Sequence, residues 1–347
     1  MSKPTNISHS KWPFRLALLL CCATFPLIWV GGLVTTYDAG MAVPDWPSTY
    51  GYNMFLYPVS TWWSGPFDLF IEHGHRLLGS LAGIITIALV AVTWAYDERR
   101  YVRWFSVACL VGVIVQGLIG GFRVLANEIV IARLHGCTGP LFFCMTVAMV
   151  IFTSRRWREK TQNPTAESSS GPFRVAAILT VIAFGQLVLG SFIRHIPVMT
   201  TPNEFRGMAF AHLFVALGVA TYAFMLWRAT RKSAPPATSR VAGLLTLLVL
   251  CQICLGIGTW FVKYNWPTWL PAVAAFDRFV IEDKGMLQGL VTTAHVAMGS
   301  LILATSFAIS IVCCPVEGIR QALLRWKSDS SKSKPSNHTS VRMEAMA

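Results

Sequence analysis

Charge is what this chain has least of: only 13% of its 347 residues are charged, and just 16 are acidic. A water-soluble domain carries about a quarter, so a soluble globular class is excluded. The patterns that mark other classes are missing too. The nine cysteines, Cys21, Cys22, Cys109, Cys137, Cys144, Cys251, Cys254, Cys313 and Cys314, lie in or beside apolar segments, with none in the long loop 37–71. They outline no disulfide framework, and Cys251-x-x-Cys254 has no second pair with which to close a zinc site. Packing is the role expected of all nine. A long Arg- and Ser-rich presequence is absent, and no small-residue cleavage site follows the first apolar run. That run is expected to be a retained helix, in a bacterial inner (plasma) membrane.

What the chain does have is apolar surface, at 54% of its residues. Runs near the roughly 20 residues that cross a bilayer recur at 16–36, 75–96, 104–122, 134–153, 173–193, 208–227, 241–262 and 289–313. The expected fold is an all-α membrane protein with eight transmembrane helices. The net charge of +13 does not point to nucleic acid, because its placement fixes topology. Most of the 29 bases, among them Arg99, Arg100, Arg155, Arg156, Arg231 and Arg320, fall on the side of the first residues, while more than half of the acids fall opposite. The positive-inside rule then puts both termini in the cytoplasm.

The two halves echo each other. The third, fifth and seventh runs carry Gln116, Gln186 and Gln252, each followed four residues later by Gly120, Gly190 and Gly256, with Arg123, Arg194 and Lys263 beyond. The even runs present His75, His135, His212 and His295 near their outer ends. This predicts two tandem four-helix bundles, an internal duplication. The domains are then 1–155, a cytoplasmic linker 156–172 expected to be flexible, 173–315, and a tail 316–347 without packed structure. Loop 37–71, rich in Trp, Tyr and Pro, reads equally as an interfacial aromatic belt or as a lid.

A lone intramembrane histidine is most often a hydrogen-bonded packing residue, yet ionisable groups at membrane depth are expensive. Four at one depth, two per half, are enough for axial ligation of two porphyrin irons. Gly79, Gly139, Ala216 and Gly299 follow the four histidines by one turn and leave room for a flat ring. Arg76, Arg123, Arg194 and Lys263 are candidates to pair with propionates or line the sites. A structural zinc is disfavoured, since no cysteine joins the histidines. Glu72 shares a helical face with His75 and has two balanced readings: a carboxylate at the porphyrin edge, or an i,i+4 ion pair with Arg76. His73 and His195 read either as site-lining residues or, more readily, as solvated loop residues, and His9 and His338 as tail residues.

Glu72-x-x-His75-Arg76, one histidine on each later even run, the Gln-x-x-aliphatic-Gly repeats and the helix end Gly31-Gly32-Leu33-Val34-Thr35 together resemble the haem A synthase family over nearly the whole chain. The resemblance implies oxidation of the C8 methyl of haem O to a formyl group by successive hydroxylations, for cytochrome oxidase biogenesis. It implies that His75 and His135 bracket the substrate haem O, that His212 and His295 ligate a haem b cofactor, and that Glu72 is the catalytic carboxylate. It also implies a supply of haem O from a haem O synthase, an electron donor that the sequence does not name, the cytochrome oxidase assembly machinery as partner, membrane lipid around the chain and a homo-oligomer as one assembly open to it. Two departures stand out. Ala42 and Thr49 occupy positions where one branch of the family has a cysteine pair, and Thr35 and Thr36 stand where many members have a base. The alternatives are a di-haem cytochrome b electron carrier without a substrate of its own, and a transporter built from parallel repeats.

Overall fold

The computed structural model of the chain describes residues 10–162, 170–266 and 280–315; the tail 316–347, His9, His338 and part of the linker lie outside the described residues. Its elements are helical: α1 (Trp12–Thr36), α2 (Val59–Trp63), α3 (Phe67–Tyr96), α4 (Arg100–Ala126), α5 (Ile129–Thr153), α6 (Arg155–Gln162), α7 (Ser170–Arg194), α8 (Pro202–Ser233), α9 (Pro236–Tyr264) and α10 (Met286–Cys313), with 3₁₀ turns at Ala39–Met41 and Met54–Leu56. All but α2 and α6 are long and apolar enough to cross a membrane, eight in number among the described residues. In hydrocarbon every backbone group must find its partner inside the chain, and a helix does this segment by segment.

Each of the eight expected spans is present, and all are longer than the apolar runs suggest. The span expected from residue 75 begins at Phe67 and the one expected from 208 begins at Pro202. Hydropathy trimmed these ends because Asp68, Glu72, Glu204 and Arg206 are polar, whereas helix starts are set by caps. Thr201 accepts from the Glu204 amide while the Glu204 side chain accepts from the Thr201 amide at 2.7 Å, and Pro202 follows at the first helical position.

Helices α1, α3, α4 and α5 pack in a closed ring, and so do α7, α8, α9 and α10. The seam between the rings is made by α1 and α5 against α10, with α5 also touching α7. At the linker end the rings are filled by side chains: Ala17, Leu20, Leu89, Val102 and Met149 in the first, and Leu179, Leu226, Leu245 and Leu303 in the second. Phe143 and Cys144 of α5 belong to the second of these clusters, so one apolar core runs across the seam. The opposite end of each ring holds the histidines, glutamines and glycines instead.

The loop after α1 closes over that end of the first ring. Ala39, Gly40, Val43 and Thr49 are buried in it, while Phe55, Leu56, Val59 and Trp63 are exposed on its far side. It is therefore a lid with an aromatic outer face.

At the linker end the chain is less free than its composition suggests. Residues 155–162 form α6, with Trp157 buried and its indole donating to the Tyr101 hydroxyl at 3.2 Å. Lys160 donates to the Val312 and Cys314 carbonyls at 2.6 and 3.0 Å, capping α10. Asp97 lies fully buried between Arg99 and Arg158, at 2.6 and 3.2 Å. Burial alone would raise the Asp97 carboxyl, but the hydrogen bonds and charge of Arg99, with Arg158, outweigh it and hold it below the usual range. The expected flexible linker is thus a bracket between the two rings through residue 162. Packing accounts for Cys109 and Cys144, which are buried, but Cys22, Cys251 and Cys254 are exposed on the helix surface.

Candidate functional site

The four histidines sit inside their helices: His75 eight residues after Phe67, His135 six after Ile129, His212 ten after Pro202 and His295 nine after Met286. The apolar runs, starting at 75, 134 and 208, place the first three nearer their helix starts than they lie. Within the rings they face each other in pairs. The ring centres of His75 and His135 are 6.3 Å apart with planes at 89°, and those of His212 and His295 are 6.4 Å apart at 62°.

Each imidazole rests on a glycine of the neighbouring helix. A β-carbon on Gly31, Gly120, Gly190 or Gly256 would lie 2.8, 3.0, 3.2 or 3.1 Å from Cε1 of His75, His135, His212 or His295 respectively. The carbonyls of Leu27, Gln116, Gln186 and Gln252, four residues before those glycines, also face the rings. All four Nδ1 atoms are buried without a hydrogen-bond partner among the described residues. The repeated Gln-x-x-x-Gly spacing is therefore a seat for a histidine from the next helix. On α1 the same seat is built with Leu27 in place of glutamine. This use of the glycines was not read from the sequence, although the spacing that carries it was visible.

The pairs fit an iron porphyrin. Imidazole nitrogens bind a metal at about 2.0–2.1 Å, so two rings that held one iron between them would have their centres roughly 6 Å apart. The separations of 6.3 and 6.4 Å match this. Beside His75 there is open space: a β-carbon on Gly79 or Gly83 would meet nothing within 4 Å. Gln116 and Gln252 approach the equivalent positions at Gly139 and Gly299, at 3.8 and 3.5 Å. Among the described residues no three of His, Cys, Asp and Glu come together.

In the first ring, Glu72 and Arg76 hold the lid. Glu72 Oε2 accepts from the Val43 amide at 2.8 Å and Oε1 from Arg76 at 2.9 Å, both side chains being buried. Arg76 also donates to the carbonyls of Val43, Asp45 and Ser48 at 2.7, 2.7 and 3.0 Å. Both its amino groups are thus committed to the lid rather than to a propionate. Two of the roughly four lone-pair sites of the Glu72 carboxylate remain free. Among the described residues Arg123 of α4 makes one hydrogen bond, to the Gly40 carbonyl at 3.2 Å, and Trp46 of the lid packs against Gly121. Asp45 turns the lid by accepting from the Tyr50 and Gly51 amides at 2.8 Å each.

His73 departs from its expected solvated state. It is 1% exposed, bonded to the Thr49 hydroxyl at 3.2 Å and packed against Tyr57 and Trp62. It is a lid anchor. His195 lines a cavity of about 250 Å³ with Asp38, Gly40, Arg123, Asn127 and Glu128, at the junction of the two rings, and its carbonyl accepts from Arg133. Burial, then the charges of Arg194, Arg133 and Arg123, hold its imidazole down at about 4, so it is neutral near pH 7.

The second ring has no comparable lid among the described residues, and its upper end is rich in unsatisfied donors. Arg194 Nη1, Trp260 Nε1 and the hydroxyls of Ser191, Thr259 and Thr292 are buried without partners. Arg194 Nη2 donates to the Gly32 carbonyl at 2.6 Å and to the Thr36 hydroxyl at 2.8 Å. Lys263, on the last turn of α9, lies within electrostatic reach of Arg194. Gln252 Nε2 stands 3.4 Å from His295 Nε2, and the Oε1 atoms of Gln186 and Gln252 are unpartnered.

Eight membrane-crossing helices in two rings, each ring closing on a facing pair of imidazoles, define a multi-pass membrane protein built around paired histidine centres. A family profile described as cytochrome oxidase assembly protein matches residues 14–209. The chain belongs to that family, the haem A synthases. It is 24% identical over 254 residues to the heme A synthase of Alkalihalophilus pseudofirmus, covering 67% of this chain and 82% of that protein. It is 25% identical over 312 residues to the heme A synthase of Maricaulis maris, covering 72% and 86%. With the heme A synthase of Listeria monocytogenes it shares 31% over 137 residues, covering 38% and 41%.

Proposed function

We propose that the protein is a haem A synthase that oxidises the C8 methyl of haem O to a formyl group by successive hydroxylations, haem O binding in the first ring and a haem b cofactor in the second. It acts as an enzyme supplying haem A for cytochrome oxidase, in line with its family. The observation that carries the reading is the pair of imidazole separations, 6.3 and 6.4 Å, together with the open space beside His75 at Gly79 and Gly83.

The bound haem b would supply one-electron transfer. The chain's own part is to orient and to enclose. Gly31 and Gly120 seat His75 and His135 face to face, and the lid, pinned by Glu72 and Arg76, excludes water from that end of the first ring. Glu72 lies one turn from His75 and keeps lone pairs free, so in this reading it takes the proton released as the methyl group is oxidised, or steadies positive charge there, while its Oε2 still holds the Val43 amide. Arg123 is free to meet a propionate in the first ring, and Arg194 and Lys263 in the second. The lid then faces outward, and both termini and α6 face the cytoplasm of a bacterial cell.

The test is pigment extraction from membranes in which the chain is co-expressed with a haem O synthase. Haem A is expected with the intact chain, and bound haem without haem A for Glu72→Ala. Recovery of haem O alone from the intact chain would refute the reading and leave the di-haem electron carrier.

A further inference from the structure

Arg194 is the last residue of α7, yet its bonds are to α1, across the seam. One amino group is satisfied by Gly32 and Thr36, and the other is buried with no partner. No described carboxylate pairs with it; Asp38, the acid in electrostatic reach, is bridged to Lys284 at 3.0 Å. An unneutralised buried guanidinium costs several kcal/mol, so this geometry calls for an anion at Nη1. Other buried atoms of the second ring that lack a partner can donate as well: Ser191 three residues before Arg194 on α7, Trp260 and Thr259 one turn beyond Gly256, and Thr292 one turn before His295. A planar carboxylate is the anion that suits a guanidinium edge.

The other end of Arg194 matters equally. The Gly32 carbonyl it holds is one peptide from Gly31, on which His75 of the first ring is seated. Gly32 in turn packs on Thr293 of α10, two residues before His295, with the Thr36 hydroxyl 3.4 Å from that of Thr293. The Gly31-Gly32 peptide therefore bridges the two histidine pairs, and Arg194 grips it.

We propose that Arg194 couples the two sites: a carboxylate of the haem bound by His212 and His295 docks on Nη1, and the same guanidinium then fixes the α1 backbone that seats His75. Loading the second site thereby favours binding in the first, and by linkage the reverse holds. This rests on the functional reading given above.

The experiment uses full-length protein purified from cells making both haem O and haem b, read by site-resolved haem content and by redox titration of the haem held at His212 and His295. Arg194→Gln is expected to lower the midpoint potential of that haem, since removing a nearby positive charge favours the ferric state, and to lower haem O retention in the first site by about fivefold or more. Arg194→Lys should recover part of both. Thr36→Val, which removes the hydroxyl that Arg194 Nη2 and Thr293 meet but leaves Nη1 untouched, should lower first-site retention and leave the second haem in place. An unchanged potential in Arg194→Gln would remove the carboxylate contact, and unchanged first-site retention would remove the coupling; either result overturns the proposal. Absence of haem from the wild-type chain would instead overturn the functional reading beneath it.

Discussion

Glu72 is the residue at which a structural and a chemical role can be separated by measurement. It is 2% exposed, accepts from the Val43 amide at 2.8 Å and pairs with Arg76 at 2.9 Å. Glu72→Ala leaves the Arg76 guanidinium without its counter-charge and the Val43 N–H without an acceptor. Breaking a buried pair from one side costs about 3–5 kcal/mol, which here falls on lid closure. Glu72→Gln keeps one carbonyl oxygen for Val43 or Arg76 and loses mainly the charge, a difference of about 1–2 kcal/mol. At about 1.4 kcal/mol per tenfold, the open lid should become roughly tenfold more populated in Glu72→Gln and at least a hundredfold more in Glu72→Ala. Amide exchange at Val43, Tyr50 and Gly51 reads this directly, and haem A yield is measured on the same preparations. If Glu72 handles a proton, Glu72→Gln loses conversion while the lid stays largely protected. If it only pins the lid, conversion follows protection through both variants. Protection of Val43 in Glu72→Ala equal to that of the wild type would refute the reasoning about the lid.

Two further outcomes follow from the geometry. Alanine at Gly31, where the added carbon would sit 2.8 Å from His75, should disturb its ring more than alanine at Gly190, at 3.2 Å from His212. Overpacking of this kind costs typically about 1–3 kcal/mol; low-spin haem signals by electron paramagnetic resonance should broaden or vanish in that order, and an unaltered spectrum for Gly31→Ala would sink the seating argument. His195, held at about 4 against an ordinary 6.5, refuses a proton that the opened state accepts. Its contribution is intact above 6.5 and is lost as pH falls towards 4, by at most roughly 3 kcal/mol. Thermal midpoints measured across that window should fall less steeply in His195→Gln than in the wild type.

Hydropathy alone determined the eight spans, because a segment in hydrocarbon must satisfy its own backbone, and that demand is written locally in the residues. Histidines at a common depth and the Gln-x-x-x-Gly spacing were equally legible, being matters of position along one helix. Helix ends were legible less well, since Asp68 and Glu72 look like loop by hydropathy while lying within α3. Tertiary structure decided what those groups touch. That Glu72 and Arg76 grip Val43, Asp45 and Ser48, that His73 is sealed beneath Thr49 and Trp62, and that Arg194 reaches the Gly32 carbonyl are facts about backbone atoms brought together from distant parts of the chain. Every residue has a carbonyl and every residue but proline an N–H, so a backbone partner leaves no mark in composition or periodicity. Only the packing of α1 against α3, α5 and α10 selects which of them is met.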